Sequence, residues 1–582
     1  MRLFALSLLS ASLAFTAAAQ NQNQDQDHDL DRSPIQHVLL ISIDGMHAVD
    51  FLNCAHGIAG VNNGDSYCPN LASLSAHGIN YVAANTSKPS DSFPGLMNIV
   101  TGATPRTMGV YYDVAYDRSL DGPKVETGNN NGPAAVPCTP GSTPTGFTTE
   151  YDEGIDIDQT KLNGGAPNAG LTDGGIASID PNKLDRDPAK GCAPVFGWQF
   201  VRTNTIFGIV HKSGGYTAWS DKHPSYSSVA GPDGPSVLDD YYSPEINSTV
   251  VALPGVTTPS SISCSTIPDP NSDLTAWTNS FQNIQCYDTL KVNAILNEID
   301  GKTHNGARAK TPSRFGMNFQ AVSVGQKLIE NGVDGGYTNA AGTPTPSLLS
   351  EIQFVDDSIG EMISHLRNRG LLSSTLVIIT AKHGQSPIDP NIYQAVPGKT
   401  HNGLSPATVI ANNLPAAMPP SENPNNANGI GSTEDDGSLL WLTNTSYTNQ
   451  AVSLLEQNAS TIKLGQIYYG ASLALNYNTP GLGPNLDPRT PDIIVTPNVG
   501  VTYTGSASKL MEHGGFAHDD TNVMLLVSNP SFQPNTVFAE VGTLQIAPTI
   551  LNALGLDPHQ LDGVRLEGTS SLPDLNFKSN QF

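Results

Sequence analysis

The chain has 582 residues, and its 53 acidic against 28 basic side chains leave a formal net charge of −25. This charge is spread without acidic runs and disfavours nucleic-acid binding by bulk charge. After the first residues no stretch approaches the roughly 20 apolar residues that a membrane helix needs, so we expect no membrane partner. A small anionic substrate would have to be held by a local group of donors or by a metal ion.

The N-terminal segment MRLFALSLLSASLAFTAAAQ has one Arg, an apolar run and small residues ending near Ala19. This layout is typical of a secretory signal peptide, so we expect residues 1–19 to be removed and the protein to be secreted. Residues 20–33 are polar and predict a disordered leader. A glycosylated surface is predicted by four Asn-X-Ser/Thr triplets, at Asn85, Asn247, Asn444 and Asn458.

The six cysteines favour disulfides over free thiols if the protein is secreted. Six cysteines allow 15 connectivities, so the sequence leaves the pairing open. A disulfide could close the short loop from Cys54 to Cys68, and a second could join Cys264 to Cys286. That choice leaves Cys138 with Cys192.

The first predicted strand is the apolar run at 38–43, which leads directly into Asp44 and Gly45. A nearly continuous apolar run with β-branched residues indicates a parallel strand buried on both faces. Ligands bind at the carboxyl edge of open α/β sheets, where such strands end. Asp44 is therefore a candidate site residue.

The stretch SKPSDSFPGLMNIVTGATP joins a polar turn to a predicted helix that starts near Pro94 and ends at Gly102. Ser92 is expected just ahead of this helix. It could be an ordinary N-cap. Alternatively it is a nucleophile, with the free N–H groups of the helix start accommodating the charge of an incoming phosphate.

Helix and strand patterns alternate in the second half of the chain. A helix at 347–369 precedes the strand TLVIIT at 375–380, which leads into Lys382 and His383. Further buried strands are predicted at 491–495 and 522–528, and a closing helix at 546–556. The alternation predicts an α/β fold whose mostly parallel sheet has helices on both faces, in one domain at 34–575. Long Gly- and Pro-rich segments at about 121–190 and 397–437 are expected to be loop insertions.

Five motifs occur in a characteristic order between about residues 35 and 570: SIDG, SDSFPGLMNIVTGATPRTMGV, KHG, EHGGFAHDD and APTILNALG. This order resembles the type I phosphodiesterase/nucleotide pyrophosphatase family of the alkaline phosphatase superfamily. The resemblance implies an alkaline-phosphatase-like core and hydrolysis of phosphodiester or nucleotide pyrophosphate bonds. It also implies a covalent intermediate, with Ser92 in the nucleophile's place.

In that family, two zinc ions flank the phosphorus and are held by Asp and His side chains. By position, the resemblance implies that Asp44, Ser92, His383 and His513 are metal ligands.

Three departures from the family pattern bear on that site. Lys382 stands where the family writes the Asp of D-H-G, and Gln320 and Gln326 replace the Asp and His of P-D-x-x-G-H. Asp113 falls at or near the Asn that binds the phosphoryl oxygen. An ammonium beside a dication is unfavourable, so we expect a divalent metal, zinc, with the second of two sites disfavoured. Lys382 could then replace a metal by stabilising charge at Ser92 or on the phosphate, with Asp113 as a further catalytic candidate.

Other segments could supply ligands. The stretch TAWSDKHPSY predicts a strand that ends in Asp221, Lys222 and His223, and FAHDD contributes His518, Asp519 and Asp520. A solvated turn is the alternative interpretation of the DKHP stretch.

Two functions from different classes remain. The first is a secreted hydrolase of phosphoric esters that works through Ser92. The second is a non-catalytic relative that keeps the fold and binds a ligand or glycan, and it is favoured by Lys382, Gln320 and Gln326.

Overall fold

The computed structural model describes residues 35–125, 137–151, 175–247, 278–397, 403–419, 434–503 and 509–575. It also describes the short pieces 154, 156–158, 161, 256–259, 261, 264 and 577. The predicted signal peptide and leader lie outside the described residues, as do parts of both predicted insertions.

The described part of the chain contains strands of two to seven residues. They are β1 (His37–Ile43), β2 (Gly78–Tyr81), β3 (Ala84–Asn85), β4 (Ala115–Asp117), β5 (Phe147–Thr149), β6 (Arg186–Asp187), β7 (Ala193–Pro194), β8 (Ala218–Trp219), β9 (Asp240–Tyr241), β10 (Arg314–Phe319), β11 (Ile329–Glu330), β12 (Val333–Asp334), β13 (Thr375–Thr380), β14 (Gln394–Ala395), β15 (Ser438–Leu440), β16 (Leu464–Tyr469), β17 (Ile493–Pro497), β18 (Val501–Thr502), β19 (Leu525–Ser528), β20 (Asn535–Val537) and β21 (Val541–Gly542).

The α-helices of the same part run from single turns to a helix of 23 residues. They are α1 (Ala48–His56), α2 (Pro69–Ser75), α3 (Ser92–Thr101), α4 (Pro105–Met108), α5 (Gly197–Phe200), α6 (Ile206–Lys212), α7 (Phe281–Ile299), α8 (Ala321–Lys327), α9 (Pro346–Asn368), α10 (Pro406–Asn413), α11 (Thr448–Gln457), α12 (Gly470–Asn476), α13 (His518–Thr521), α14 (Ile546–Ala553) and α15 (Asp562–Glu567).

A central sheet has the strand order β10-β1-β13-β19-β2-β20. All neighbours in it are parallel except at β19, which runs antiparallel to both β13 and β2. Parallel bridges from Thr217 to Arg314 and from Ser220 to Met317 place β8 beside β10. The predicted mostly parallel sheet is confirmed, and β1, β8, β10 and β13 all end at the same edge.

Helices cover both faces of this sheet. Alternate residues of each strand point to opposite faces, so each strand contributes side chains to two hydrophobic clusters. Leu39 and Ile41 pack in one hydrophobic cluster with residues of α7, α8 and α9. Val38 and Leu40 pack in a second cluster with residues of α3, α6 and α14. The strands are apolar on both faces for this reason, which explains why β1 and β13 read as continuous apolar runs.

The predicted core elements match the structure closely. The helix expected at 347–369 is α9, the strand TLVIIT is β13, and the closing helix is α14. The buried strand predicted at 491–495 is β17, but it lies outside the central sheet, in a separate antiparallel sheet between β15 and β16. An apolar run indicates burial and not strand direction, so the sequence pattern could not separate the two sheets.

This second sheet belongs to a separate hydrophobic cluster built largely from residues between 396 and 503. Helices α10 and α11 pack there with β15, β16 and β17. Part of the predicted insertion at 397–437 therefore leads into a folded lobe. The limits predicted for the hydrolase domain, 34–575, stay a prediction.

All three predicted disulfide pairs are present: Cys54–Cys68, Cys138–Cys192 and Cys264–Cys286. Among the helices that the structure describes, none is both long enough and apolar enough to cross a bilayer.

Asp356 joins helix α9 to the start of α2. Its carboxylate accepts hydrogen bonds from the backbone N–H groups of Asn70 and Leu71 at 3.1 and 2.8 Å, and from the Asn70 side chain at 2.9 Å. These N–H groups belong to the first turn of a helix and have no partner within it. The carboxylate thus ties two helices of one face together.

We expect Asp356→Ala to lower the free energy of unfolding by about 2 kcal/mol, because it leaves buried N–H groups without acceptors. Urea denaturation measures this loss. The neighbouring Asp357 is exposed, so Asp357→Ala is the matched control and should change stability by less than about 0.5 kcal/mol. Equal losses in the two variants would show that the inter-helix contact contributes nothing.

Candidate active site

Several polar side chains meet at the edge where the parallel strands end. Strand β1 leads into Asp44, β13 leads into Lys382 and His383, and β8 is followed by Asp221 and Lys222. Helix α3 begins at this edge, and the loop before α13 contributes a histidine. Nearly all of these groups are buried: Asp44, Ser92, Asp221, Lys382 and His383 are at most 1% exposed.

Ser92 is the first residue of α3, and Asp91 occupies the N-cap position that the sequence suggested for Ser92. The capping interpretation of Ser92 is therefore wrong. Its Oγ instead accepts a hydrogen bond from Nζ of Lys222 at 2.9 Å. The nearby Ser90 is occupied differently, since its hydroxyl donates to the backbone carbonyl of Asp520.

Lys382 forms a buried ion pair at the same edge. Its Nζ lies 2.7 Å from Oδ1 of Asp221 and 4.0 Å from Oδ2 of Asp44. The ring of Tyr226 faces this ammonium, with 4.1 Å between Nζ and the ring centroid. Burial lowers the pKa of Lys382, while the carboxylates of Asp221 and Asp44 oppose that shift.

Asp44 accepts hydrogen bonds from two side-chain amides. Nε2 of Gln320 lies 2.6 Å and Nδ2 of Asn318 lies 3.2 Å from its Oδ2. Burial by itself would raise the pKa of Asp44, but Lys382 and His383 hold it well below its ordinary value. The carboxylate is therefore ionised across the physiological range.

The two predicted histidines lie together. The rings of His383 and His513 have centroids 4.2 Å apart, and Nε2 of His383 is 3.5 Å from Oδ2 of Asp44. Nδ1 of His513 is 3.4 Å from Oδ1 of Asp91. Burial, followed by the positive charge of His383, lowers the pKa of His513 well below its ordinary value, whereas burial raises the pKa of Asp91 to about 7.

The structure therefore connects Asp44, Ser92, His383 and His513 through a continuous set of neighbours. Asp113 adjoins them, because its backbone N–H donates to Oδ2 of Asp91 at 2.9 Å. The roles predicted for these residues stay predictions.

Gln326 belongs to a different network. Its Nε2 donates to the carbonyl of Gly45 at 2.8 Å and to the hydroxyl of Tyr337 at 2.7 Å. Its Oε1 accepts from Gln385 at 2.6 Å.

The interpretation of DKHP as a solvated turn is wrong. Asp221 is fully buried against Lys382, and His223 is buried with its Nδ1 2.7 Å from Oε1 of Glu245. Among these residues only Lys222 is half-buried.

The side chains of the FAHDD stretch do not join the group formed by Asp44, Ser92, His383 and His513. The side chain of His518 is 80% exposed, and Asp519 accepts a hydrogen bond from the backbone of Ile388. Asp520 is buried and interacts with the equally buried Asp436.

These residues do not fit a pair of zinc ions. One carboxylate position holds the ammonium of Lys382, and amide N–H groups already donate to Asp44. Within the described ranges, no three His, Cys, Asp or Glu side chains group around a common point suited to a metal ion. The buried atoms without a hydrogen-bond partner include Oδ1 of Asp44, Oδ1 of Asp91 and Nδ1 of His513, but in the described part of the chain these atoms do not complete such a group.

The fold is an α/β fold in which one edge of a mostly parallel sheet carries the candidate site. A family model described as type I phosphodiesterase/nucleotide pyrophosphatase matches residues 38–150 and 334–519, which is more than half of the chain. The chain belongs to the type I phosphodiesterase/nucleotide pyrophosphatase family. The resemblance predicted from the motifs is confirmed.

Solved structures similar to this chain include murine ectonucleotide pyrophosphatase/phosphodiesterase 5, with 12% identity and a TM-score of 0.49. They also include alkaline phosphatase PafA, with 11% identity and a TM-score of 0.47. Each alignment covers 90% of this chain and 96% of the other. No curated protein matches the chain.

The sequence did not identify the contact between Lys222 and Ser92, nor the position of Asp91 beside His513. The sequence nevertheless contained a pattern that indicates Lys222. Asp221, Lys222 and His223 come directly after a predicted strand, and the ends of parallel strands form the ligand-binding edge of the sheet, which is also how Asp44 was identified.

Asp156 is a further buried carboxyl, and it lies beside Ser225 in the segment that follows Lys222 and His223. Its Oδ1 accepts a hydrogen bond from the hydroxyl of Ser225 at 2.7 Å, and burial raises its pKa to about 7. The unfolded chain loses this proton near pH 4, so between about pH 4 and 7 the folded state binds more protons than the unfolded state. The contribution of Asp156 to stability therefore falls as the pH rises through this window.

We expect Asp156→Asn to remove this part of the pH dependence. In the wild type, ionising Asp156 costs roughly 2–4 kcal/mol between pH 4.5 and 7.5, and the amide does not titrate. Urea denaturation at the two pH values measures the difference. A variant whose stability falls as steeply as that of the wild type would contradict the prediction.

Proposed function

We propose that this protein is a secreted hydrolase of phosphoric esters, acting on phosphodiester or nucleotide pyrophosphate bonds through a covalent intermediate on Ser92. The observation that carries the proposal is the contact of 2.9 Å between the Ser92 oxygen and the Lys222 ammonium. It lies at the start of a ten-residue helix, in a chain that belongs to a family of phosphodiesterases and pyrophosphatases.

The reaction has two steps. Ser92 loses its hydroxyl proton to solvent, its Oγ forms a bond to phosphorus, and the bond from phosphorus to the leaving oxygen breaks. The leaving oxygen takes a proton from solvent. A water molecule then attacks phosphorus, the bond to Oγ breaks, and Oγ regains a proton.

The start of helix α3 supports the charge in both steps. The positive end of the helix dipole favours an anion at Ser92. Phosphoryl transfer depends mainly on such positioning and charge stabilisation, because the protein has little other covalent chemistry to do.

Lys382 and Asp113 have supporting roles in the proposal. The ammonium of Lys382 supplies positive charge beside Asp221, and the backbone N–H of Asp113 donates a hydrogen bond to the Asp91 carboxylate. Members of this family typically depend on zinc, and the ligand role implied for Asp44, Ser92, His383 and His513 stays a prediction that the contacts of Lys382 disfavour.

Secretion is supported by the N-terminal apolar segment and by the three disulfides, which are typical of oxidising compartments. The exposed Asn444 suits the predicted glycosylation. The predicted partner is a small anionic phosphoester.

The competing function is a non-catalytic relative that binds a ligand or glycan. The amide donors on Asp44 and the Lys382 ion pair favour it, since both remove metal-ligand capacity. The contact between Lys222 and Ser92 favours the enzyme, because a binding protein has no need of an ammonium on a buried serine hydroxyl.

We expect Ser92→Ala to abolish hydrolysis of a nucleoside p-nitrophenyl phosphodiester, with a loss of at least about 1,000-fold in kcat. The matched control is Ser90→Ala, which removes a hydroxyl that bonds to the Asp520 backbone, and it should keep most of the activity. p-Nitrophenyl phosphate and p-nitrophenyl sulfate serve as alternative substrates. Absence of wild-type activity on all three esters would favour the binding protein, and equal activity of Ser92→Ala would exclude the covalent route.

A further inference from the structure

Two lysine ammonium groups lie where the reaction needs positive charge. Nζ of Lys222 contacts the Ser92 oxygen at 2.9 Å, and Nζ of Lys382 contacts Asp221 at 2.7 Å. Both face the ring of Tyr226, at 5.8 Å for Lys222 and 4.1 Å for Lys382 between Nζ and the ring centroid. An aromatic face attracts cations, and the attraction grows when both partners are shielded from water.

Two ammonium groups, those of Lys222 and Lys382, lie among the carboxylates of Asp44, Asp91 and Asp221. Lys382 is close to two of these carboxylates, at 2.7 Å from Asp221 and 4.0 Å from Asp44. A divalent cation placed between these carboxylates would meet the ammonium at short range, which Coulomb repulsion strongly disfavours.

We propose that Lys222 is a catalytic residue that takes the place of a metal ion at the Ser92 oxygen, and that Lys382 is a positioning residue that makes the site independent of divalent metals. This inference rests on the proposed function and deepens it. In this proposal Lys222 stabilises charge at the Ser92 oxygen, whereas the sequence suggested Lys382 for that role.

Lys222 transfers no proton in this scheme. Its ammonium donates a hydrogen bond to Oγ while Ser92 attacks, and to the same oxygen while water displaces it. Ser92 has no exposed surface and Lys222 is half-buried above it, so we expect the ammonium to shift toward a phosphoryl oxygen as the substrate enters. The flexible four-carbon stem of lysine permits that shift.

Lys382 acts through its neighbours. It holds Asp221, the residue directly before Lys222, and the backbone N–H of Lys222 donates to the same Oδ1 at 2.9 Å. The backbone carbonyl of Lys382 packs against Gly95 in the first turn of α3, where a Cβ would lie 2.1 Å from that oxygen. The Lys382 segment thus fixes the position of both Lys222 and the Ser92 helix.

The first test uses metal content and phosphate affinity, which do not depend on turnover. Wild-type protein purified without chelator should contain less than about 0.1 zinc per chain by mass spectrometry. In EDTA it should bind inorganic phosphate, measured by calorimetry. Stoichiometric zinc, or phosphate binding that EDTA abolishes and zinc restores, would overturn the proposal, as would a complete lack of phosphate binding in EDTA.

The second test separates charge from structure at Lys222. Lys222→Met should weaken phosphate binding by at least about tenfold and lower kcat by about 100-fold to 1,000-fold, and Lys222→Arg should recover part of both. The control is Lys212→Met, since Lys212 also pairs with an aspartate but is 64% exposed. Unchanged phosphate affinity in a folded Lys222→Met protein would overturn the role of Lys222.

The third test asks whether Lys382 displaces a metal. Lys382→Asp restores the carboxylate that the family pattern has, beside Asp44, Asp221 and His383, and should raise zinc affinity at least about 100-fold over wild type. A folded variant without this gain would count against displacement. If wild type hydrolyses none of the esters, the proposed function fails, while metal content and phosphate affinity still decide this inference.

Discussion

The ion pair between Lys382 and Asp221 is the interaction on which the candidate site depends. Four parallel strands end at one edge and bring charged groups into a buried space, where an unpaired carboxylate or ammonium is strongly unfavourable. Removing one partner of such a pair typically costs about 3–5 kcal/mol, because the other charge stays buried. Lys382 pairs with the buried carboxylate of Asp221 and lowers the pKa of Asp44, and the ring of Tyr226 reduces the cost of burying the ammonium.

The proposed replacement of a metal ion by lysine is compatible with the fold of this family. The backbone that presents Asp44, Ser92 and His383 is determined by β1, α3 and β13, whose packing does not require a metal. The identity of the cation depends on only a few side chains at the strand ends. Replacing a carboxylate by Lys382 changes the local charge by two units, which converts a place that attracts dications into one that repels them.

Much of the fold could be predicted from sequence. The apolar residues of α9 recur at helical spacing, which predicts a helix. The nearly continuous apolar runs of β1 and β13 predict buried parallel strands. Asp44 and His383 were found because strand ends in a parallel sheet are where ligands bind. The antiparallel direction of β19 and the separate sheet of β17 were not predictable, since the side-chain pattern of a buried strand does not depend on the direction of its neighbours.

The sequence by itself determined the family and the nucleophile candidate Ser92, because both are carried by short motifs in a characteristic order along the chain, and its six cysteines supplied the disulfide candidates. Only the tertiary structure decided that Lys222 contacts Ser92 and that Lys382 pairs with Asp221, at sequence separations of 130 and 161 residues. Such pairings follow from strand order and register in the sheet. They are properties of how distant segments pack, and no local pattern of residues encodes them.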